Sequence, residues 1–126
     1  MIAADSSSIV AYISGEHGSD VTAVAWAIEQ KLLALPPAAF SELLSDPKLP
    51  DNILKILDQI PLLSIDENYW ERAGRLRAKM IEKRCKPGLS DTFIAQSCLD
   101  HGTPLITRDE DFQIFRRLAG LILFQH

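Results

Sequence analysis

Five short apolar runs, residues 2–4, 32–35, 62–65, 104–107 and 121–124, alternate in this chain with stretches whose apolar residues recur at helical spacing. Strands separated by helices favour parallel pairing, because a right-handed crossover needs the helix to bring the chain back to the same edge. The expected fold class is therefore α/β: a three-layer α/β/α sandwich around a mostly parallel sheet of about five strands, with residues 1–126 forming a single domain. No internal repeat or low-complexity stretch interrupts the alternation.

Local signals place the helices. A first helix is expected over residues 6–13, and a second begins near Asp20, with Val21, Val24 and Ile28 on one face. Pro36-Pro37 stops the second strand and opens a helix carrying Glu42, since proline fits the first helical turn. Pro50 starts another, with Ile53, Ile56, Leu57 and Ile60 as its buried stripe. The long helix over 67–84 has Tyr69, Ala73, Leu76 and Met80 on its apolar face. Arg72, Arg75, Lys79 and Lys83 form a basic stripe roughly 100° round it. Ser90 is expected to cap a helix over 91–100 that ends at His101-Gly102, and a last helix spans 110–118.

Hydrophobic content of 47% is ample for a packed core. No window approaches the ~20 apolar residues of a membrane span, and Met1-Ile2-Ala3-Ala4-Asp5 reads as a strand of the fold rather than a secretory leader, so a cytoplasmic protein is expected. Cys85 and Cys98 have no metal-site spacing and read as reduced, inert thiols, while His17, His101 and His126 are too scattered to suggest a histidine-based site. The net charge of −4 argues against whole-surface attraction to nucleic acid. It conceals a segment, residues 71–86, with seven basic and two acidic residues, a local +5 that leaves −9 for the rest of the chain. That stripe reads either as a solvated helix face or as a phosphate-binding one. Trp26 and Trp70 read as core or interface residues rather than base-stacking platforms.

Asp5, Glu42, Asp91 and Asp109 each stand within a residue or a turn of an expected helix start, three of them just past a short strand. Each has an ordinary explanation: Asp5 and Asp91 as helix caps, Glu42 as a surface residue, Thr107-Arg108-Asp109-Glu110 as a capping box. A parallel sheet, however, would bring all four to one edge, where ligands of α/β sheets bind. Two carboxylates ~4 Å apart repel by about 4 kcal/mol at an effective dielectric near 20, so either one takes up a proton or a cation binds. Oxygen ligands without histidine or cysteine suit Mg²⁺ or Mn²⁺, and such ions support hydrolysis of phosphodiesters. Ser6, Ser7 and Ser8 lack a nearby base and read as capping or supporting hydroxyls, and Thr107 could orient a carboxylate.

Four segments, Ile2-Ala3-Ala4-Asp5-Ser6-Ser7, Ser41-Glu42-Leu43-Leu44, Leu89-Ser90-Asp91-Thr92-Phe93-Ile94-Ala95 and Leu105-Ile106-Thr107-Arg108-Asp109-Glu110-Asp111-Phe112, resemble the successive motifs of PIN-domain nucleases across nearly the whole chain. The compact form is similar to VapC-type toxins of toxin–antitoxin pairs. The resemblance implies a Mg²⁺- or Mn²⁺-dependent endoribonuclease with Asp5, Glu42, Asp91 and Asp109 as the acidic quartet, Asp111 as an auxiliary acid, and Ser6 and Thr107 as supporting hydroxyls. It further implies an RNA substrate, a cognate antitoxin protein as partner, and a homodimer. The chain departs from the pattern at Ala39, where a hydroxyl residue often stands a turn before the second acid.

Two other readings start from the same residues. A non-catalytic module could keep the fold and hold RNA or a protein with its basic helix. Phosphoryl transfer through an aspartyl phosphate, as in receiver or haloacid-dehalogenase-like proteins, would need an acidic pair after the first strand or an aspartate at position 7, where this chain has Ser7.

Overall fold

A computed structural model describes residues 1–125; His126 lies outside the described residues. Its sheet has three parallel strands, β1 (Ile2–Ala4), β2 (Leu33–Ala34) and β3 (Leu105–Ile106), in the order β2-β1-β3. The expected outer strands are reduced to single parallel bridges, Leu35 with Leu62 beside β2 and Leu105 with Leu123 beside β3. The apolar runs thus pair in the expected direction. At the rims each has only one partner, and the ladder does not extend.

Helices α1 (Ser6–Ile13), α2 (Ser19–Glu29), α3 (Pro37–Leu44), α4 (Asp51–Asp58), α5 (Tyr69–Glu82), α6 (Leu89–His101) and α7 (Gln113–Ala119) connect these strands, with a 3₁₀ turn at Glu110–Phe112. The period-2 alternation of the strands divides the core into two layers. Ala3, Ala34 and Leu105 face a cluster with Met80 of α5, Ile94, Ala95 and Cys98 of α6, and Phe115 of α7. Ile2, Ala4, Leu33 and Ile106 face the other side, with Ile9 of α1, Val24 and Ala27 of α2, and Leu57 of α4. Helix α3 lends Ala39 to one layer and Leu43 to the other. Both faces of the sheet are covered, which is the expected three-layer α/β/α sandwich.

Several local expectations need correction. Ser90 does not cap α6: the helix starts two residues earlier than expected, at Leu89 behind Gly88, so Ser90 and Asp91 lie inside its first turn. The helix expected over 110–118 divides into the 3₁₀ turn and α7, because the Asp109 carboxylate accepts the Asp111 N–H and tightens the entry. Ile56 is exposed, so only part of the α4 stripe is buried. Trp26 and Trp70, expected as core or interface residues, are exposed in the single chain and so are not core residues. Tyr69, Ala73 and Met80 are buried as the α5 pattern requires.

Candidate metal centre

The strand order reverses direction at β1: the chain builds one side of the sheet with β2 and returns to the other side with β3. A crevice outside the carboxyl ends of β1 and β3 is the site such a reversal creates. Asp5 follows β1 directly, and Thr107 and Asp109 follow β3.

Asp5 is 2% exposed and serves as the N-cap of α1, accepting the Ser8 N–H at 3.2 Å. Its cap role and its place in the crevice coexist. Ser7 Oγ donates to both of its oxygens, at 2.8 and 2.9 Å, and Thr107 Oγ1 donates at 2.8 Å. Thr107 Oγ1 also accepts the Asp109 N–H at 3.0 Å, so a single hydroxyl joins the end of β1 to the loop after β3. Burial raises the Asp5 pKa, and the hydrogen bonds from Thr107, Ser7 and Ser8 oppose that rise. A carboxylate so buried and so fully engaged is poorly placed to attack phosphorus, which disfavours an aspartyl-phosphate chemistry.

Asp91, Asp109 and Asp111 each place a carboxylate oxygen within 4.8 Å of the others. Asp91 projects from the first turn of α6, Asp109 and Asp111 from the 3₁₀ entry to α7. Burial, together with the charges of Asp109, Glu42, Asp111 and Asp5, pushes the Asp91 carboxyl up to about 6. The other four acids therefore all act on Asp91. Glu42 is exposed on α3 and is held towards α1 by Ser6 Oγ, which donates to Oε1 at 3.2 Å. The donor set, carboxylate oxygens gathered by three elements, fits a hard divalent cation such as Mg²⁺ or Mn²⁺.

The structure gathers Asp5, Glu42, Asp91, Asp109, Asp111, Ser6 and Thr107 at this edge. Asp111, expected as an auxiliary acid, stands within the tight trio, whereas Asp5 and Glu42 flank it. The basic stripe is partly consumed. Arg72 pairs with Asp100 and donates to the Glu67 carbonyl, and Arg75 pairs with Glu71 at 2.8 Å. Lys79 and Lys83 are exposed and make no ion pair among the described residues.

Sequence reasoning missed the support behind the crevice. Asp20, 4% exposed on α2, accepts from Ser8 Oγ at 2.8 Å and from Arg108 Nε and Nη2 at 2.8 and 3.0 Å. Arg108 holds the Asp20 carboxyl down at about 2. This bidentate pair ties α1 and α2 to the loop that carries Asp109. Nothing in the sequence links residues 20 and 108. The only local cue is Gly18, whose φ of 153° and closeness to the Asp20 carboxylate exclude a side chain.

The chain matches the family model of the PIN domain over residues 2–121. No curated protein matches it. Among solved structures it resembles VapBC2 from Rickettsia felis bound to a DNA fragment from their promoter, at a TM-score of 0.75 and 20% identity over 98% of each chain. It also resembles VapBC-5 from Mycobacterium tuberculosis, a member of the VapBC family of toxin–antitoxin systems. There the TM-score is 0.60 and the identity 21%, over 75% of this chain and 82% of that one. At these identities the likeness is one of fold. The match to the family model runs from β1 to Leu121 and so spans every acid of the crevice: this chain belongs to the PIN-domain family, whose members are generally nucleases.

Proposed function

We propose that the chain is a Mg²⁺- or Mn²⁺-dependent endoribonuclease that hydrolyses RNA phosphodiester bonds and acts as the toxin of a toxin–antitoxin pair. The observation that carries this reading is the trio Asp91, Asp109 and Asp111, whose oxygens approach within 4.8 Å at the carboxyl edge of a PIN-family sheet. Asp91, Asp109 and Asp111 would hold the cation, with Asp5 and Glu42 beside them. A bound divalent cation supplies positive charge against the phosphodiester and makes water more acidic. The chain's own part is to fix the ligands: Ser7 and Thr107 orient Asp5, the Asp109 side chain sets the position of Asp111, and Ser6 holds Glu42. Without a cation, burial and the neighbouring acids raise the Asp91 pKa to about 6, so a proton there relieves the repulsion only as pH falls through about 6.

Purified, antitoxin-free protein should cleave RNA in Mg²⁺ or Mn²⁺, lose that activity in chelator, and lose it in Asp91→Asn and Asp109→Asn while the far-ultraviolet circular dichroism spectrum is unchanged. Intact RNA after incubation with either metal would overturn the proposal. The fold likeness to chains from VapBC complexes supports a small antitoxin protein as partner and regulator. We further propose a homodimer, tested by light scattering for twice the 14.0 kDa chain mass.

A further inference from the structure

Helix α5 passes the chain to α6 through a turn, residues 83–88, that borders the acid crevice. Tyr69 at the start of α5 bonds to Phe93 and Ser97, and Arg77 near its end donates from Nε to the Pro87 carbonyl at 2.9 Å. The two helices therefore run antiparallel, and the end of α5 lies beside the first turn of α6, from which Asp91 projects. The Asp91 carboxylate folds back towards the turn: its Oδ2 is 3.8 Å from the place a β-carbon on Gly88 would take.

This turn is held in one shape. The Arg84 N–H bonds the Ile81 carbonyl and the Cys85 N–H bonds the Met80 carbonyl, which closes α5 with Arg84 at a φ of 63°. Cys85 packs against the core and Pro87 is buried, whereas Lys83, Arg84 and Lys86 are exposed. Inward anchors thus hold three basic side chains outward. Residues 77–86 carry five basic side chains against one acid, Glu82. Arg72 and Arg75, earlier on α5, are absorbed by Asp100 and Glu71, but Lys83, Arg84 and Lys86 make no ion pair among the described residues.

A polyanionic strand needs such charges here. One divalent cation offsets only two of the negative charges on the five acids, so the phosphates on either side of the reacting one still meet repulsion unless basic groups border the crevice. We propose that the α5–α6 turn, through Lys83, Arg84 and Lys86, is the basic rim of the crevice and holds backbone phosphates of the RNA strand beside the phosphodiester presented to the acids. Contacts to phosphate position a strand without reading its sequence, so the rim contributes affinity and register rather than base preference. The proposal rests on the endoribonuclease reading for the identity of the strand.

The test separates the two. In an Asp91→Asn protein, which does not cut, binding of an end-labelled single-stranded RNA is followed by fluorescence anisotropy over a range of NaCl concentrations at fixed Mg²⁺. The triple variant Lys83→Ala, Arg84→Gly, Lys86→Ala should bind about 10- to 100-fold more weakly at low salt, and the slope of log affinity against log salt should become shallower by about 1–2. Lys83→Arg, Arg84→Lys, Lys86→Arg should keep both affinity and slope. Cations at the end of a helix also complement its dipole, but loss of that role lowers the melting temperature and leaves the slope unchanged. An unchanged slope in the triple variant would overturn the rim. So would an equal loss in Lys31→Gly, Lys48→Ala, Lys55→Ala, which removes the same charge from other elements. In the cleaving protein the rim variant should raise KM more than it lowers kcat. A shallower slope in a protein that cuts no RNA would keep the rim and sink the hydrolytic reading, and RNA cleavage with an unaltered KM would do the reverse.

Discussion

Asp91 shows how one side chain reports the condition of the whole site. Its carboxyl titrates near 6 in the cation-free fold, above the usual 3.8, because it is half-buried among four other acids. A folded-state pKa above the unfolded value means that the native chain binds the proton more tightly. That advantage is complete below pH ~4 and is lost as pH rises through about 6. Asp91 therefore costs the cation-free protein about 1–2 kcal/mol at neutral pH, once solvent screening of a half-exposed group is allowed for. In chelator, the melting temperature of wild type relative to Asp91→Asn should fall between pH 4 and pH 7; a difference that stays flat with pH would refute the account. Thr107 is the second informative residue, since its hydroxyl both donates to Asp5 and accepts from the Asp109 backbone. Thr107→Val should weaken Mn²⁺ binding about 10- to 100-fold, and Thr107→Ser should restore it, as followed by calorimetric titration. Asp5, Asp91 and Asp109 were legible in the sequence because each lies within three residues of a strand end or inside a helix's first turn, positions that topology carries to one edge, whereas Glu42 lies in the second turn of α3. The Asp20–Arg108 pair was not legible, because its members are 88 positions apart and each looks like ordinary surface charge.

At the scale of elements, helix boundaries were legible wherever a proline or glycine sets the backbone, as at Pro37, Pro50 and Gly102. They were blurred where tertiary contacts decide. The last helix breaks into two because a carboxylate caps it internally, and the rim strands shrink to bridges because pairing depends on neighbours that local sequence does not describe. Helix ends also reveal strain. Helices α2 and α5 end with Lys31 and Arg84 at φ of 58° and 63°, in the left-handed position that Gly102 takes after α6. At α2 the Lys31 N–H bonds the Ile28 carbonyl and the Leu32 N–H bonds the Ala27 carbonyl, the pattern in which glycine is favoured. Lys31→Gly removes the cost of a β-carbon there and should stabilise the fold by up to about 1 kcal/mol in urea unfolding. No gain, or a loss, would show that the Lys31 side chain contributes more than its backbone costs. Gly18 is the opposite case. A β-carbon there would lie 2.6 Å from Asp20 Oδ1 and 3.0 Å from Arg108 Nη2, both locked in their ion pair. Gly18→Ala should destabilise by about 1–3 kcal/mol, and by less in an Arg108→Ala background where the pair no longer resists displacement. Equal costs in both backgrounds would attribute the effect to the backbone alone.

The whole molecule joins elements at its carboxyl edge through repulsion that a cation would convert to attraction. The five acids come from the end of β1, from α3, from α6 and from the loop after β3, so that edge is a meeting point of units distant in sequence. No basic side chain is hydrogen-bonded to Asp91, Asp109 or Asp111 among the described residues. Three arginines are paired elsewhere: Arg108 against Asp20 and Glu16, Arg72 against Asp100, Arg75 against Glu71. Charge segregation along the sequence was legible, but its use was not, because the two leading arginines of the α5 stripe are absorbed by intramolecular pairs. A divalent cation at the trio would bind the native arrangement and not the unfolded chain, in which residues 91 and 109 are far apart. By mass action, a concentration 100 times the dissociation constant should then add about 2.7 kcal/mol to the stability, several degrees in melting temperature for a chain of this size. Sodium chloride at matched ionic strength screens the repulsion without bridging the carboxylates, so it should reproduce only a small part of the shift. Asp91→Asn should start more stable in chelator at neutral pH and gain little from Mn²⁺, so that the two melting curves cross as the metal is added. An equal gain in wild type and Asp91→Asn, or an equal gain from sodium chloride, would mean that the trio is only a patch of screened surface charge.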